Sequence, residues 1–135
     1  MIYDFLYKPR NILTQLRSAK SELEGLRLSM LPSAIRYDID KVISSPVDPM
    51  PKYAERIDEL QRKIKELTDQ YVKAQDAITD KAIHLDGMEQ EVIMLRYVAH
   101  KTWNEIAMEL NRSERWMFII HKHAVKHLEK MFPEL

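Results

Sequence analysis

Cysteine is absent from this chain, and glycine nearly so, with two in 135 residues. The first absence excludes a disulfide framework and any thiolate zinc site, and fits a reduced compartment. The second, with 31% charged residues and no clear Val/Ile/Thr alternation, excludes most β architectures and points to a nearly all-helical protein. Net charge is missing too: Lys and Arg number 21, as do Asp and Glu. No global field therefore draws the whole molecule onto nucleic acid or an anionic membrane, and any basic surface must be local. No apolar run approaches the roughly 18 residues that span a bilayer. The start, MIYDFLYKPR, lacks the basic end, apolar stretch and small-residue cleavage site of a signal peptide. The expectation is one small cytoplasmic domain with extensions and no membrane contact.

What is present is helical periodicity broken by proline. From Asn11 to Met30 the apolar positions Ile12, Leu16, Ala19, Leu23, Leu26 and Met30 step by fours and threes, a seam along one helix face. Pro32 follows, and SSPVDPMP at 44 to 51 reads as a linker, because each proline removes an amide donor and disfavours helix before it. From Tyr53 the stepping resumes through Ile57, Leu60, Ile64, Leu67, Tyr71, Ala74 and Ile78, and can extend to Leu85 before Asp86-Gly87. That helix would be about 50 Å long. A narrow heptad seam wants a partner: either the first helix folds back as an antiparallel hairpin, or two copies form a coiled-coil homodimer. Residues 1–86 thus read as a helical arm.

Residues 87–135 read as a separate three-helix domain. Gly87 is expected to end the long helix as a left-handed cap. A third helix covers MEQEVIMLRYV, with Met88, Val92, Leu95 and Val98 on one face and Ile93 and Tyr97 flanking. Thr102 caps TWNEIAMEL, and Glu105 three places later completes a capping box. Asn111-Arg112 makes the turn, since Asn tolerates positive φ. Ser113 caps a last helix that runs toward Met131 and stops before Pro133. This order is that of a helix-turn-helix. At 100° per residue Met117, Ile120, Ala124 and Leu128 form its buried stripe, while Arg115, Lys122 and Lys126 converge opposite. Residues 111 to 130 hold five Lys or Arg against Glu114 and Glu129, with His121, His123 and His127 able to add charge as pH falls. Such a local excess can hold DNA phosphates; equally, a charged outer face can simply be solvated.

The run EVIMLRYVAHKTWNEIAMELNRSERWMFIIHKHAVKHLEK resembles the fourth conserved region of bacterial sigma factors. More closely, it is similar to the ArpU-like late-gene regulators of phages of Gram-positive bacteria. The resemblance rests on Leu95-Arg96-Tyr97, Thr102-Trp103, Glu105-Ile106-Ala107, Leu110, Ser113, Arg115, Ile120-His121 and Ala124, about a third of the chain. It implies a recognition helix opened by Ser113 that lies in a major groove. By position it implies DNA contacts from Thr102, Arg112, Ser113, Glu114, Arg115, Trp116, Ile119, Lys122, His123 and Lys126. The departure from the pattern is Trp116, Phe118 and Ile119, where sigma factors mostly carry polar or basic residues. Apolar groups there can meet thymine methyls, and one or two are expected to pack on the long helix, a second subunit or host RNA polymerase.

Two rival chemistries are weaker. His123 and His127 have the i, i+4 spacing of shared metal ligands, but neither Cys nor a well-placed carboxylate completes a tetrahedral set, Glu129 lying on another face. No phosphate loop, nucleophile beside a base or paired carboxylates suggest an enzyme. The expected function is therefore double-stranded DNA binding by a homodimeric transcription regulator without cofactor, phage- or prophage-encoded and acting in the bacterial host cytoplasm. The alternative is an interaction module that modulates another transcription factor or RNA polymerase without specific DNA binding of its own.

Overall fold

The computed structural model describes residues 1–30 and 50–135, and every regular element among them is a helix. In chain order these are α1 (Ile2–Ser29), α2 (Met50–Ala82), α3 (Gly87–Ile93), which runs directly into a π-helical turn (Met94–Val98), α4 (Trp103–Leu110) and α5 (Glu114–Met131). The protein is all-α, as its composition implies, and none of these helices is long and apolar enough to cross a membrane. The expected linker at 44–51 lies outside the described residues up to position 49, as does Pro32. Pro51 already sits in the first turn of α2, where its missing N–H forfeits no helical bond.

Two local expectations are corrected. The first helix begins at Ile2 rather than Asn11 and carries Pro9 in its interior. An interior proline costs a helix about 3 kcal/mol. Burial of Ile2, Leu6 and Pro9 itself offsets that cost, since a fully buried aliphatic side chain contributes about 1.5–3 kcal/mol. Gly87 is not a left-handed cap: no glycine has positive φ, and Gly87 opens α3. The long helix ends at Ala82, and the turn that follows buries Leu85. Among the described residues, those that do take positive φ are His100 and Asn111.

The chain forms two compact units, Met1–Leu13 with Asp69–Leu135, and Thr14–Thr68. In the second, Ala19 and Leu23 of α1 bury against Leu60 of α2, with Leu26, Ile57 and Ile64 at the edges. Here the heptad seams cover each other within one chain. The Arg56 guanidinium spans Glu22 (2.9 Å from Nε) and Glu59 (3.1 Å from Nη1), on a surface exposed enough that solvent screens most of the attraction.

The first unit holds two hydrophobic clusters, and α3 belongs to both. Val92 packs with Ile106, Ala107 and Met117. Its neighbour Ile93, with Tyr97, packs among Ile2, Leu6, Ile78, Ala82, Val125 and Leu128. The core that encloses residues 87–135 thus continues into residues before Asp86. It also reorders the expected face of α3: Ile93 and Tyr97, read as flanking, are more deeply buried than Met88, Leu95 and Val98. Ile93 leads directly into the π-turn that carries Tyr97, where Ala99 N–H reaches back five residues to Met94 C=O at 3.0 Å. Ile93→Ala should cost about 2–5 kcal/mol, the sum of lost transfer energy and an unfilled cavity. Urea denaturation of the full chain checks this, and a loss under about 1 kcal/mol would mean that the cluster of Ile2, Leu6 and Val125 does not depend on Ile93.

Candidate nucleic-acid interface

α4, a three-residue turn and α5 form the segment in which local chemistry is most explicit. The Thr102 hydroxyl accepts from Glu105 N–H at 3.2 Å, and the Glu105 carboxylate accepts from Thr102 N–H at 3.0 Å. This is the reciprocal capping box expected from the spacing. The Thr102 backbone N–H, then its hydroxyl, holds the Glu105 carboxyl below its ordinary pKa. Asn111 ends α4 in the left-handed conformation, φ 56 and ψ 48. Asn111 N–H returns to Met108 C=O at 3.2 Å and Arg112 N–H to Ala107 C=O at 2.9 Å, the paired bonds of a Schellman turn. Ser113 then caps α5, its Oγ accepting from Trp116 N–H at 3.1 Å.

α5 is held by Met117, Ala124, Val125 and Leu128; the wheel missed Val125 and ranked Ile120, which is only half-buried, too high. The diametrically opposite face centres on Ile119, about 180° around the helix. Arg115, Lys122, His123, Lys126 and Lys130 surround it and are all exposed. The acids Glu114 and Glu129 project to one flank, about 80° or more from Ile119. Among the described residues no carboxylate pairs with Arg112, Arg115, Lys122, Lys126 or Lys130. The structure thus brings Arg112, Arg115, Ile119, Lys122, His123 and Lys126 onto or beside one surface and adds Lys130, which sequence reasoning counted but did not select. Its signal was its spacing, four residues beyond Lys126. Ser113 and Thr102 have their hydroxyls committed to caps, and Thr102 belongs to the other helix.

The three apolar departures separate. Phe118, 49% exposed, lies against Trp103 of α4, ring centroids 5.0 Å apart, rather than against the long helix. Trp116, 43% exposed, sits on the far flank of the cationic face from Phe118, and Ile119, 37% exposed, is at the face's centre.

His121 does not add charge as expected. Its ring meets Trp103 edge-on at 4.9 Å, lies near Tyr3 and Tyr97, and shares a 2.5 Å hydrogen bond between Nε2 and the Tyr97 hydroxyl. Burial, and then the neighbouring Arg96 charge, pushes its pKa down to about 4. Burial raises the Tyr97 pKa, so the phenol remains a protonated donor and the neutral imidazole accepts. Arg96 also lies 4.8 Å over the Trp103 ring and donates to Lys101 C=O at 3.1 Å, tying the loop before α4 to the π-turn that continues α3. His127 places Nδ1 2.6 Å from Glu89, a partner 38 positions away that no helical wheel could pair with it, and His123 is exposed. Among the described residues no three His, Cys, Asp or Glu gather as metal ligands. A cleft of about 550 Å³ between Phe5, Lys8, Lys73, Ala77, Lys81 and Leu135 contains no hydroxyl or imidazole among its lining side chains.

No protein-family model matches the chain, and neither a curated protein nor a solved structure is significantly similar to it.

Two measurements follow from the geometry. Thr102→Ala and Ser113→Ala should each lower unfolding free energy by about 1 kcal/mol, as loss of a helix cap does; an unchanged urea midpoint would deny the caps that role. His121, with a pKa of about 4 in the fold against 6.5 ordinarily, binds its proton more readily when unfolded. Its contribution is complete above about pH 6.5 and is lost as pH falls toward about 4, at no more than about 1.4 kcal/mol per pH unit. His121→Phe should flatten the acid limb of the stability curve over that window, and an identical limb would exclude this source.

Proposed function

We propose that this chain is a sequence-specific double-stranded DNA-binding regulator of transcription, in which α4, the turn and α5 act as a helix-turn-helix and α5 enters the major groove. The observation that carries the reading is the outer face of α5: five exposed cationic or protonatable side chains around Ile119, no acid among them, on a helix of 18 residues. In a protein of zero net charge, that concentration on one rigid face is the electrostatic footprint a duplex requires, each cation at a phosphate displacing a condensed counterion. The positive end of the helix, with Arg112 and Arg115 beside it, favours the same partner. The likeness to sigma-factor region four and to ArpU-like phage regulators supports a role at promoters of late phage genes in the bacterial cytoplasm. Arg115, near the helix start, is assigned to base edges; Lys122, Lys126 and Lys130 anchor phosphates.

We also propose a homodimer that presents two α5 helices to adjacent major grooves, about 34 Å apart. Since Leu23 and Leu60 already cover each other within a chain, the second copy would use the outer side of the long helices, where Val72 is exposed on α2 and Ile83 just past its end. A second reading, a module docking on RNA polymerase or another regulator without reading DNA, is favoured by one observation: Trp116 and Phe118 stay exposed on opposite flanks of α5.

Selection of bound fragments from genomic DNA, followed by fluorescence anisotropy at low and physiological salt, separates the two. A discrete motif bound at least about a thousandfold better than random duplex is expected. Binding that is weak, unselective and abolished by salt would favour the interaction module. Lys126→Ala should weaken binding to all sequences alike and reduce the salt slope by about one unit, whereas Arg115→Ala should relax preference at particular base pairs. Equal losses on every sequence for both variants would remove the base-reading role of Arg115.

A further inference from the structure

We infer that Ile119 reads a thymine C5-methyl group, so that each half-site carries a thymine at the centre of the α5 footprint. The inference rests on the major-groove reading of α5 and specifies what that face recognises. Three apolar residues compete for such a role, and the structure distinguishes them. Phe118 is on the acidic flank with its ring against Trp103, and Trp116 lies about 60° from the centre of the outer face. Ile119 alone is opposite the buried stripe of Met117, Ala124, Val125 and Leu128, and therefore reaches deepest when the helix axis lies along the groove.

Its surroundings sharpen the point. Arg115, assigned to base edges, is four residues before it, and Lys122 and His123, three and four after, fall on opposite sides of it, so a branched aliphatic side chain is flanked by groups suited to the two phosphate walls. Phosphate attraction gives no reason for an apolar residue in the middle. On the groove floor, the edges of G, C and A present chiefly hydrogen-bonding groups and no methyl, and an aliphatic side chain would desolvate those groups without compensation. The thymine methyl is the apolar group that an isoleucine can cover to mutual advantage.

The test removes the methyl from the DNA and the side chain from the protein in turn. In the motif recovered by selection, each thymine is replaced singly by deoxyuridine, which keeps every hydrogen-bonding group and lacks only the methyl. Duplex affinities are then measured for the wild-type chain and for Ile119→Ala, which truncates a side chain that is 37% exposed and belongs to neither hydrophobic cluster, with circular dichroism and the urea midpoint to verify an intact fold. One position per half-site should lose about fourfold in Kd with wild type, the effect of uncovering one methyl, and should lose nothing with Ile119→Ala. A motif bound specifically but indifferent to every deoxyuridine, or a penalty that persists in Ile119→Ala, overturns the thymine contact while leaving the regulator reading standing. Absence of any selected motif overturns both.

Discussion

Val92 and Ile93 are adjacent in the chain and bury in different hydrophobic clusters, one with Ile106 and Met117, the other with Ile78 and Val125. On that division the rest of the C-terminal unit depends. α5 enters the first cluster through Met117 and the second through Ala124, Val125 and Leu128, so it is held at two points more than a turn apart. A helix held at one point can roll; held at two on either side of α3, it cannot rotate without opening a close-packed core. The outer face from Arg115 to Lys130 is therefore presented in one orientation.

Short-range hydrogen bonds set the approach to that face. The capping box at Thr102, the left-handed Asn111 with its two return bonds, and the Ser113 cap use side chains to satisfy backbone groups that helix ends leave open. Behind them, Arg96, Trp103, Tyr97 and His121 form a polar and aromatic layer between α3, α4 and α5. Burial keeps His121 uncharged, and the one charge of this layer, on Arg96, stacks on Trp103, so the remaining cations of α5 lie on its exposed side chains.

A protein with equal numbers of acids and bases can separate them in space, and this one does so within a single helix. Glu114 and Glu129 fall on one flank of α5 while the cations share another face. Screening at physiological salt extends over about 8 Å, so an anionic ligand against α5 senses mainly these local charges rather than the zero sum of the chain. The heptad helices, in contrast, carry both signs around their exposed surface, as Arg56 between Glu22 and Glu59 illustrates.

The sequence by itself determined whatever is decided within about one helical turn. The capping box, the Asn111 turn, the Ser113 cap and the opposed apolar and cationic stripes of α5 all depend on neighbours three to seven residues away, and spacing alone reveals them. Heptad stepping likewise announced that α1 and α2 need partners. Only the tertiary structure decided which partners. It carried α1 through Pro9 to Ile2 because a core built from four other helical segments repays the defect, and it passed over Gly87, which has a glycine's freedom but no strain to relieve. It buried His121 and set Glu89 against His127 across 38 residues. It also left Ile119, rather than Trp116 or Phe118, at the middle of the charged face. Such outcomes depend on which surfaces meet, and burial acts on surfaces brought together from anywhere along the chain.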